Sequence, residues 1–310
     1  MKRLWLMLCS LAICIWLVPS LCAQSALALS HRDRLKAQFD NGNRWEKLSD
    51  ALLRDYVFPL TSLGEDEVDW LPVLQPLAER LTSAAETPLD AAMLLNRMLW
   101  KEIRVIYSTK RDKANQDPLH SIRIGLASCS GLSILLVDAC RSLGIPARVV
   151  GCVWRLKPGN HSWVEVWSRG EWYPLGAFED CPPDQLWFLP DAAAADATDE
   201  RYAIYATCAT GKSRFYGWDV PAITVTARYT QVARETKEIK IFFAAERRGQ
   251  RVAVPFVVDG KQYVTPGPLQ DLNDYAVIYL PEAAPFEVIL EGRTYRYEGQ
   301  PNAIIVEQLP

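Results

Sequence analysis

Histidine is scarce in this chain, with His31, His120 and His161 as its only three copies. No two cysteines have the C-x-x-C spacing that is typical of zinc-binding and redox sites. With so few imidazoles and no paired thiols, the sequence does not predict a zinc site. We expect no metal and no other cofactor.

A strong net charge is also lacking. The 310 residues carry a formal net charge of −3, and this balance gives no reason to expect a nucleic-acid partner. Apolar residues make up 49% of the chain and charged residues 23%, so that most of it should be globular rather than disordered. The length suits two or three domains.

Only the N-terminus holds a long apolar run. Lys2 and Arg3 precede Leu4–Val18, which is too short for a comfortable membrane span, and Ala26-Leu27-Ala28 offers an A-x-A cleavage site. Residues 1–28 are therefore predicted to be a secretory signal peptide, with an uncleaved anchor as the alternative. No later run is long enough to span a bilayer. The product is expected to be secreted, or periplasmic in the cell envelope, without a stable membrane span.

Export changes the expected state of the cysteines. Five remain once the signal is removed: Cys129, Cys140, Cys152, Cys181 and Cys208. An odd number in an oxidising compartment suggests one free thiol and up to two disulfides. The alternative is that some of the other four are simply buried thiols.

Residues 29–88 are predicted to be a helical N-terminal region. Apolar positions three and four apart indicate an amphipathic helix over 45–57, and Pro72 and Pro76 should interrupt the chain before a helix at 77–83. The segment Thr87–Asp90 has a capping residue, a proline and an acid, which is typical of a helix start. Residues 105–120 suggest a short strand followed by a charged loop.

The pattern changes within residues 89–218. The apolar segment Ser130–Leu143 predicts a helix that ends at Gly144. Residues 147–155, 162–168 and 171–177 then predict strands, the last two joined by the Arg169-Gly170 turn. A helix followed by an antiparallel sheet indicates an α+β fold.

Residues 219–310 form short alternating runs with tight turns such as Asp259-Gly260 and Glu291-Gly292. Six to eight short strands of this kind predict a small all-β sandwich. It contains no catalytic constellation, so we expect an accessory or binding domain.

Cys129 and His161 are the candidate reactive pair. Cys129 lies at the start of the apolar helix, where unbonded N–H groups and the helix dipole stabilise a thiolate and could also bind an oxyanion. His161 follows a Gly-Asn turn at the edge of a strand, where it could act as the base for the thiol. His120 competes for this role from the charged loop, where a surface histidine is the simpler interpretation.

The acid that orients His161 is less certain from the residues alone. Glu165 shares its strand face, but four strand residues separate the two by about 13 Å. If Ser168 pairs with Glu171, residues 176–180 of the neighbouring strand come near the imidazole. Strict alternation favours Asp180, whereas Glu179 requires the strand to end or bulge first.

These residues resemble the transglutaminase-like superfamily, which has a papain-like fold. Its signature is a cysteine that opens a helix, a G-I-P-A-R strand and an H-x-W-V-E-V strand, matched here by Cys129, residues 144–148 and residues 161–166. The resemblance implies that Cys129 is the nucleophile and His161 the base. The usual acid position falls on Gly176, and likeness to a Gly-Ala-x-Glu segment of an exported bacterial subgroup favours Glu179, with Asp180 close behind.

The resemblance implies cysteine-dependent acyl transfer through a thioester. Hydrolysis of peptide-type amides is the preferred interpretation, with a protein or peptide as substrate. A transamidase that cross-links envelope proteins is one alternative, although no calcium-binding loop is visible. A non-catalytic protein that binds peptides or surface polymers is the other.

Overall fold

The computed structural model describes residues 25–310 except 41, 43, 184, 231–238, 271–273, 282 and 301–302. The basic and apolar parts of the predicted signal peptide therefore lie outside the described residues. The first helix begins at Ala26, so the A-x-A segment forms its first turn. In the part of the chain that is described, no helix combines the length and apolar character needed to cross a membrane.

Four helices precede the sheet: α1 (Ala26–Asp40), α2 (Asp50–Tyr56), α3 (Leu71–Leu81) and α4 (Pro88–Ile103). The helix predicted over 45–57 is shorter, because Ser49 caps it by accepting a hydrogen bond from the Leu52 N–H at 3.3 Å. Helix α3 starts earlier than predicted. Pro72 lies in its first turn, where a missing N–H costs nothing, and Pro76 is accommodated inside the helix.

The predicted start of α4 is confirmed. Thr87 and Asp90 form a reciprocal capping box, in which each side chain bonds to the backbone N–H of the other. Beyond α4 come β1 (Ile106–Tyr107), α5 (Pro118–Ile124) and β2 (Leu126–Ala127), and β1 and β2 pair in parallel. Helix α5 corrects the loop expected around His120, because Asp117 caps a short helix there.

The central layer consists of α6 (Cys129–Ser142) packed against a sheet. Six of its described strands follow the order β5-β4-β3-β6-β8-β7 with antiparallel neighbours throughout. Their bounds are β3 (Ala147–Val153), β4 (Asn160–Ser168), β5 (Glu171–Leu175), β6 (Tyr205–Thr207), β7 (Ser213–Arg214) and β8 (Pro221–Thr224). Two short helices, α7 (Leu189–Ala192) and α8 (Thr226–Thr230), cover the other face with their flanking residues. Because β8 pairs with β6, this sheet continues beyond residue 218, the end of the segment 89–218 defined from the sequence.

The register of β4 and β5 is the predicted one, with Ser168 opposite Glu171. The pairing stops at Val164 and Leu175, so the strand ends just before Gly176. This early end means that strict strand alternation does not govern residues 176–180. The orientation of the following acids is set by a turn instead.

The C-terminal part is the expected strand-rich unit. Strands β9 (Ile239–Arg247), β10 (Gln250–Arg251), β13 (Ala276–Leu280) and β16 (Ala303–Leu309) form one sheet, and β11 (Pro255–Val258), β12 (Lys261–Val264), β14 (Phe286–Leu290) and β15 (Arg293–Tyr297) form the other. Their inner faces share an apolar core, in which the rings of Phe243 and Phe256 lie 4.8 Å apart. The α+β fold class, with a helix packed on an antiparallel sheet and a sandwich-like C-terminal region, is confirmed.

The expectation of disulfides is wrong for the described cysteines, all five of which are free thiols. Cys140 is buried between α6 and the sheet, whereas Cys152 faces the opposite side of the sheet. Burial raises the pKa of both thiols above their usual range. The alternative interpretation, that some of these cysteines are buried thiols, is the one that the structure supports.

Candidate active site

Cys129 is the first residue of α6, as the sequence indicates. Ser128 caps the helix by accepting a hydrogen bond from the Gly131 N–H at 3.1 Å, and its own hydroxyl donates to the Ala114 carbonyl. The thiol therefore stands at the positive end of the helix dipole, beside N–H groups that have no acceptor within the helix. This position stabilises a thiolate and can bind a developing oxyanion.

Cys129 and His161 line the same cavity, which has a volume of about 290 Å³. The next residues in the chain, Ser130 and Ser162, form a hydrogen bond, with their hydroxyls 3.1 Å apart. This hydrogen bond ties the beginning of α6 to the beginning of β4. The tertiary structure thus brings the two predicted residues together.

Aromatic rings surround the imidazole of His161, which is only 3% exposed. Trp154 and Trp163 are nearly parallel to it at 6.1 and 6.0 Å, and Trp187 and Phe188 approach at 4.9 and 5.2 Å. The residue faces the cavity from a packed pocket rather than from an open loop. Such packing restricts the orientations that the ring can take.

Glu179 also lines this cavity. Its carboxylate occupies the space that a Cβ on Gly176 would need. It accepts a hydrogen bond from the indole N–H of Trp187 at 2.9 Å, and Trp187 in turn contacts His161. A carboxylate therefore lies beside Gly176, and its side chain comes from a position three residues later.

Asn96 of α4 holds the turn that presents Glu179. Its side-chain amide donates to the carbonyls of Gly176 and Glu179, and its oxygen accepts from the Phe178 N–H. Phe178 has a φ of 64°, a left-handed conformation that is costly for an aromatic residue. The three hydrogen bonds compensate for this cost, so Asn96 determines where the carboxylate lies.

Asp180 and Glu165 point elsewhere. Asp180 is exposed and accepts a hydrogen bond from Arg97 at 2.8 Å, outside the set of residues that line the cavity. Glu165 is fully buried and pairs with Arg148 at 2.8 Å. His120 also lies apart, with its ring 2.6 Å from the carboxylate of Asp112.

The remaining signature residues form a buried network behind the histidine. Glu165 binds Arg148 of the G-I-P-A-R strand and accepts a 2.7 Å hydrogen bond from the Tyr229 hydroxyl. That hydroxyl accepts from the indole N–H of Trp163 at 2.8 Å. Burial and the Glu165 charge raise the pKa of Tyr229 well above its usual range, so the phenol stays protonated. The network packs Trp163 beside His161.

Sequence reasoning missed several residues of the cavity. Trp100 and Tyr107 line it from upstream of the cysteine, and β1 places Tyr107 opposite Ala127, two residues before Cys129. Asn96, which holds the turn beside the cavity, could have been recognised as the lone polar residue on the apolar face of α4, since a buried amide must find hydrogen-bond partners. No local signal marks Trp187.

In the described residues, no group of three or more His, Cys, Asp or Glu side chains is arranged to hold a metal ion.

Comparison with known families supports the resemblance drawn from the sequence. Residues 75–177 match the model of the transglutaminase-like superfamily. The matched segment contains Cys129, His161 and Gly176 and ends two residues before Glu179. No curated protein matches the chain.

Three solved structures are similar to parts of the chain. A candidate cysteine protease from Cytophaga hutchinsonii is 18% identical with a TM-score of 0.33, and the periplasmic domain of TgpA from Pseudomonas aeruginosa, bound to ethylmercury, is 20% identical with a TM-score of 0.28. A candidate protease from Parabacteroides distasonis is 11% identical with a TM-score of 0.29. The alignments cover 52%, 37% and 60% of this chain and 60%, 46% and 32% of the respective chains. The chain thus spans less than two thirds of each.

Proposed function

We propose that this chain, whose residues 75–177 match the transglutaminase-like superfamily, is a cysteine-dependent acyl-transfer enzyme that hydrolyses peptide-type amide bonds. One observation carries the proposal: Cys129, at the start of α6, lines a single cavity with His161 and Glu179. A nucleophile at a helix N-terminus, a base and an orienting acid are the groups that thioester chemistry requires.

In this proposal His161 accepts the proton of the Cys129 thiol, and the thiolate attacks the amide carbonyl carbon. Glu179 orients the imidazole and stabilises its protonated form. The protonated imidazole then gives its proton to the departing amine, which leaves the acyl group on the sulfur as a thioester. Water, deprotonated by His161, attacks the thioester, and the collapse of that intermediate releases the acid and the thiol.

The negative charge that develops on the carbonyl oxygen needs hydrogen-bond donors. The backbone N–H of Cys129 is one candidate, because it lies in the first turn of α6. We assign the role of second hydrogen-bond donor to the hydroxyl of Tyr107. This residue lines the cavity, and its strand β1 pairs with β2, which leads into Cys129. Trp100 is the competing donor on the same side.

Export is part of the proposal. It depends on the basic and apolar N-terminal residues and the A-x-A segment, which together have the form of a signal peptide. A secreted or periplasmic protein of this kind would meet peptide substrates of the cell envelope. Cell fractionation with an antibody to the C-terminal region would test the location, and a cytoplasmic, full-length product would contradict it.

The first test is the pH dependence of iodoacetamide alkylation at Cys129, followed by peptide mass spectrometry. We expect labelling that is still fast near pH 6 and slows in His161→Ala, because the imidazole holds the thiol as a thiolate. Labelling that rises only near pH 8.5, as for an ordinary thiol, would contradict the enzyme proposal and favour the non-catalytic binding protein.

A second test separates the acyl acceptors. A peptide library is incubated with wild type and with Cys129→Ala, with and without an added primary amine. Hydrolysis products that depend on Cys129 and contain no added amine support a hydrolase. Incorporation of the amine would support the cross-linking transamidase instead.

A further inference from the structure

The catalytic cavity has a wall that does not belong to the transglutaminase-like core. Leu269, Gln270 and Asp274, which lie between β12 and β13 of the C-terminal sandwich, line it together with Cys129 and His161. Leu269 is 60% exposed, a large apolar side chain presented to solvent at the edge of the cavity. The side chain of Gln270 accepts a hydrogen bond from the Gly267 N–H, which closes the turn that presents it.

The cavity combines apolar surface with negative charge. Most of its described lining residues are apolar or aromatic, among them Phe178, Trp187 and Leu269. Glu179 and Asp274 are the acids of that lining, which contains no lysine or arginine among the described residues. In the proposed mechanism Glu179 is balanced by the protonated His161. Asp274 is a second acid of the lining, outside this pair.

Arg251 and the neighbouring Tyr275 connect the backbone at Asp274 to the sandwich. Arg251 donates to the Asp274 carbonyl at 3.4 Å and lies 4.9 Å above the ring of the adjacent Tyr275. Tyr275 and Phe242 of the sandwich both face the ammonium group of Lys157, at 5.8 and 5.1 Å.

Lys157 also connects this wall to the core. Its ammonium group lies 5.0 Å from the ring of Trp154 and 5.2 Å from that of Trp187, and it pairs with Asp191 at 2.9 Å. Its side chain is 2% exposed, so these cation–π contacts are shielded from water. The same Trp187 ring binds Glu179 and contacts His161. The sandwich is therefore attached to the residues that surround the catalytic pair.

We propose that Leu269 and Asp274 form a substrate subsite that selects a side chain with an aliphatic stem and a cationic end, as in lysine, next to the reacting carbonyl. Leu269 packs against the stem, and the Asp274 carboxylate attracts the ammonium group and disfavours acidic side chains. The C-terminal sandwich is then a specificity element of the active site. This inference rests on the proposed function for its substrate but makes a charge prediction that can be measured without turnover.

The charge prediction is tested with three methanethiosulfonate reagents on the purified full chain. The ethylammonium, ethylsulfonate and methyl forms react with the Cys129 thiolate by disulfide exchange, releasing methanesulfinate, and each rate is divided by its rate with free mercaptoethanol. We expect the cationic reagent to react faster than the anionic one, and Asp274→Asn to reduce this ratio by about threefold to tenfold. Asp259→Asn, an acid in the β11–β12 turn of the same domain, should leave the ratio unchanged.

A ratio near one in the wild type, or one that Asp274→Asn does not alter, would overturn the subsite. Failure of Cys129 to react even with the neutral methyl reagent would instead overturn the proposed function, so the two failures are distinguishable. Among peptides, Asp274→Asn should reduce cleavage after lysine but not after norleucine, whereas Leu269→Ser should reduce both. Equal losses for lysine and norleucine in Asp274→Asn would also contradict the proposal.

Discussion

The carboxylate of Glu179 fills the space that a Cβ on Gly176 would occupy. The resemblance to the superfamily implies an orienting acid at Gly176, and in our proposal Glu179, three residues later, takes that role. The glycine leaves room and the turn supplies the carboxylate.

The first prediction concerns Gly176 and Glu179. Gly176→Ala should displace the carboxylate from its place beside Trp187 and lower kcat/KM by at least about tenfold, because a misplaced orienting group no longer aligns the base. Glu179→Gln should cause a loss of similar size or larger. Asp180→Asn is the matched control, since that acid is exposed and pairs with Arg97, and its activity should stay within about twofold.

A second-site experiment sharpens this test. The double variant Gly176→Asp/Glu179→Ala returns the acid to its usual position and vacates the space that Glu179 occupies. It should be more active than Glu179→Ala alone. Full activity in Glu179→Ala, or a large loss in Asp180→Asn, would show that Glu179 does not orient His161.

Asn96 is predicted to be a positioning residue. Asn96→Ala removes the hydrogen bonds that hold the turn at residues 176–179. It should lower kcat by at least about tenfold. KM should change little, because the residues that line the cavity remain in place. Thr82→Ala, which also removes a buried side-chain bond to the backbone, at the end of α3, controls for loss of stability. Equal kinetic effects of the two variants would indicate a purely structural role.

Tyr107 is predicted to stabilise the oxyanion. Tyr107→Phe removes the hydroxyl but keeps the ring, so it should lower kcat by roughly 100-fold while leaving the alkylation rate of Cys129 almost unchanged. Trp100→Phe tests the competing donor in the same assay. If only the Trp100 variant loses activity, the oxyanion donor has been assigned to the wrong residue.

His31 should make the fold sensitive to acid. It is fully buried in α1 against the edge of Trp70, and burial together with the charges of Arg141 and Arg34 lowers its pKa from 6.5 to about 4. The unfolded chain binds the proton more tightly than the folded one. The contribution of neutral His31 to the free energy of unfolding is therefore fully present above pH 6.5 and is lost as the pH drops toward 4. The loss from this one group is about 3 kcal/mol.

Urea unfolding of wild type and His31→Phe at several pH values measures this contribution. The phenylalanine keeps an aromatic ring against Trp70 but cannot be protonated, so the variant should lose less stability between pH 6.5 and 4. Parallel pH profiles for the two proteins would contradict the assignment to His31.

Local sequence signals predicted many of the elements but not all of their ends. The capping box at Thr87 and the Arg169-Gly170 turn are formed by residues close in sequence, and both were recognised. Helix α5 begins with Asp117-Pro118, a capping residue followed by proline as at the start of α4. The charged residues before it nevertheless favoured a loop. The extent of α3 depends on packing, because its buried face contacts other helices and compensates for the bond lost at Pro76.

The sequence by itself determined the class of the fold, the thiol at a helix start, the histidine of the strand and the register that leads to residues 176–180. Each depends on periodicity, caps or turns, which act over a few residues. That Glu179 lines the cavity and Asp180 does not depends on the early end of β5 and on Asn96, a residue 80 positions away from Gly176. The wall formed by Leu269 and Asp274 was also decided only by the tertiary structure, because it lies more than 100 residues from His161 and local patterns carry no information about such contacts.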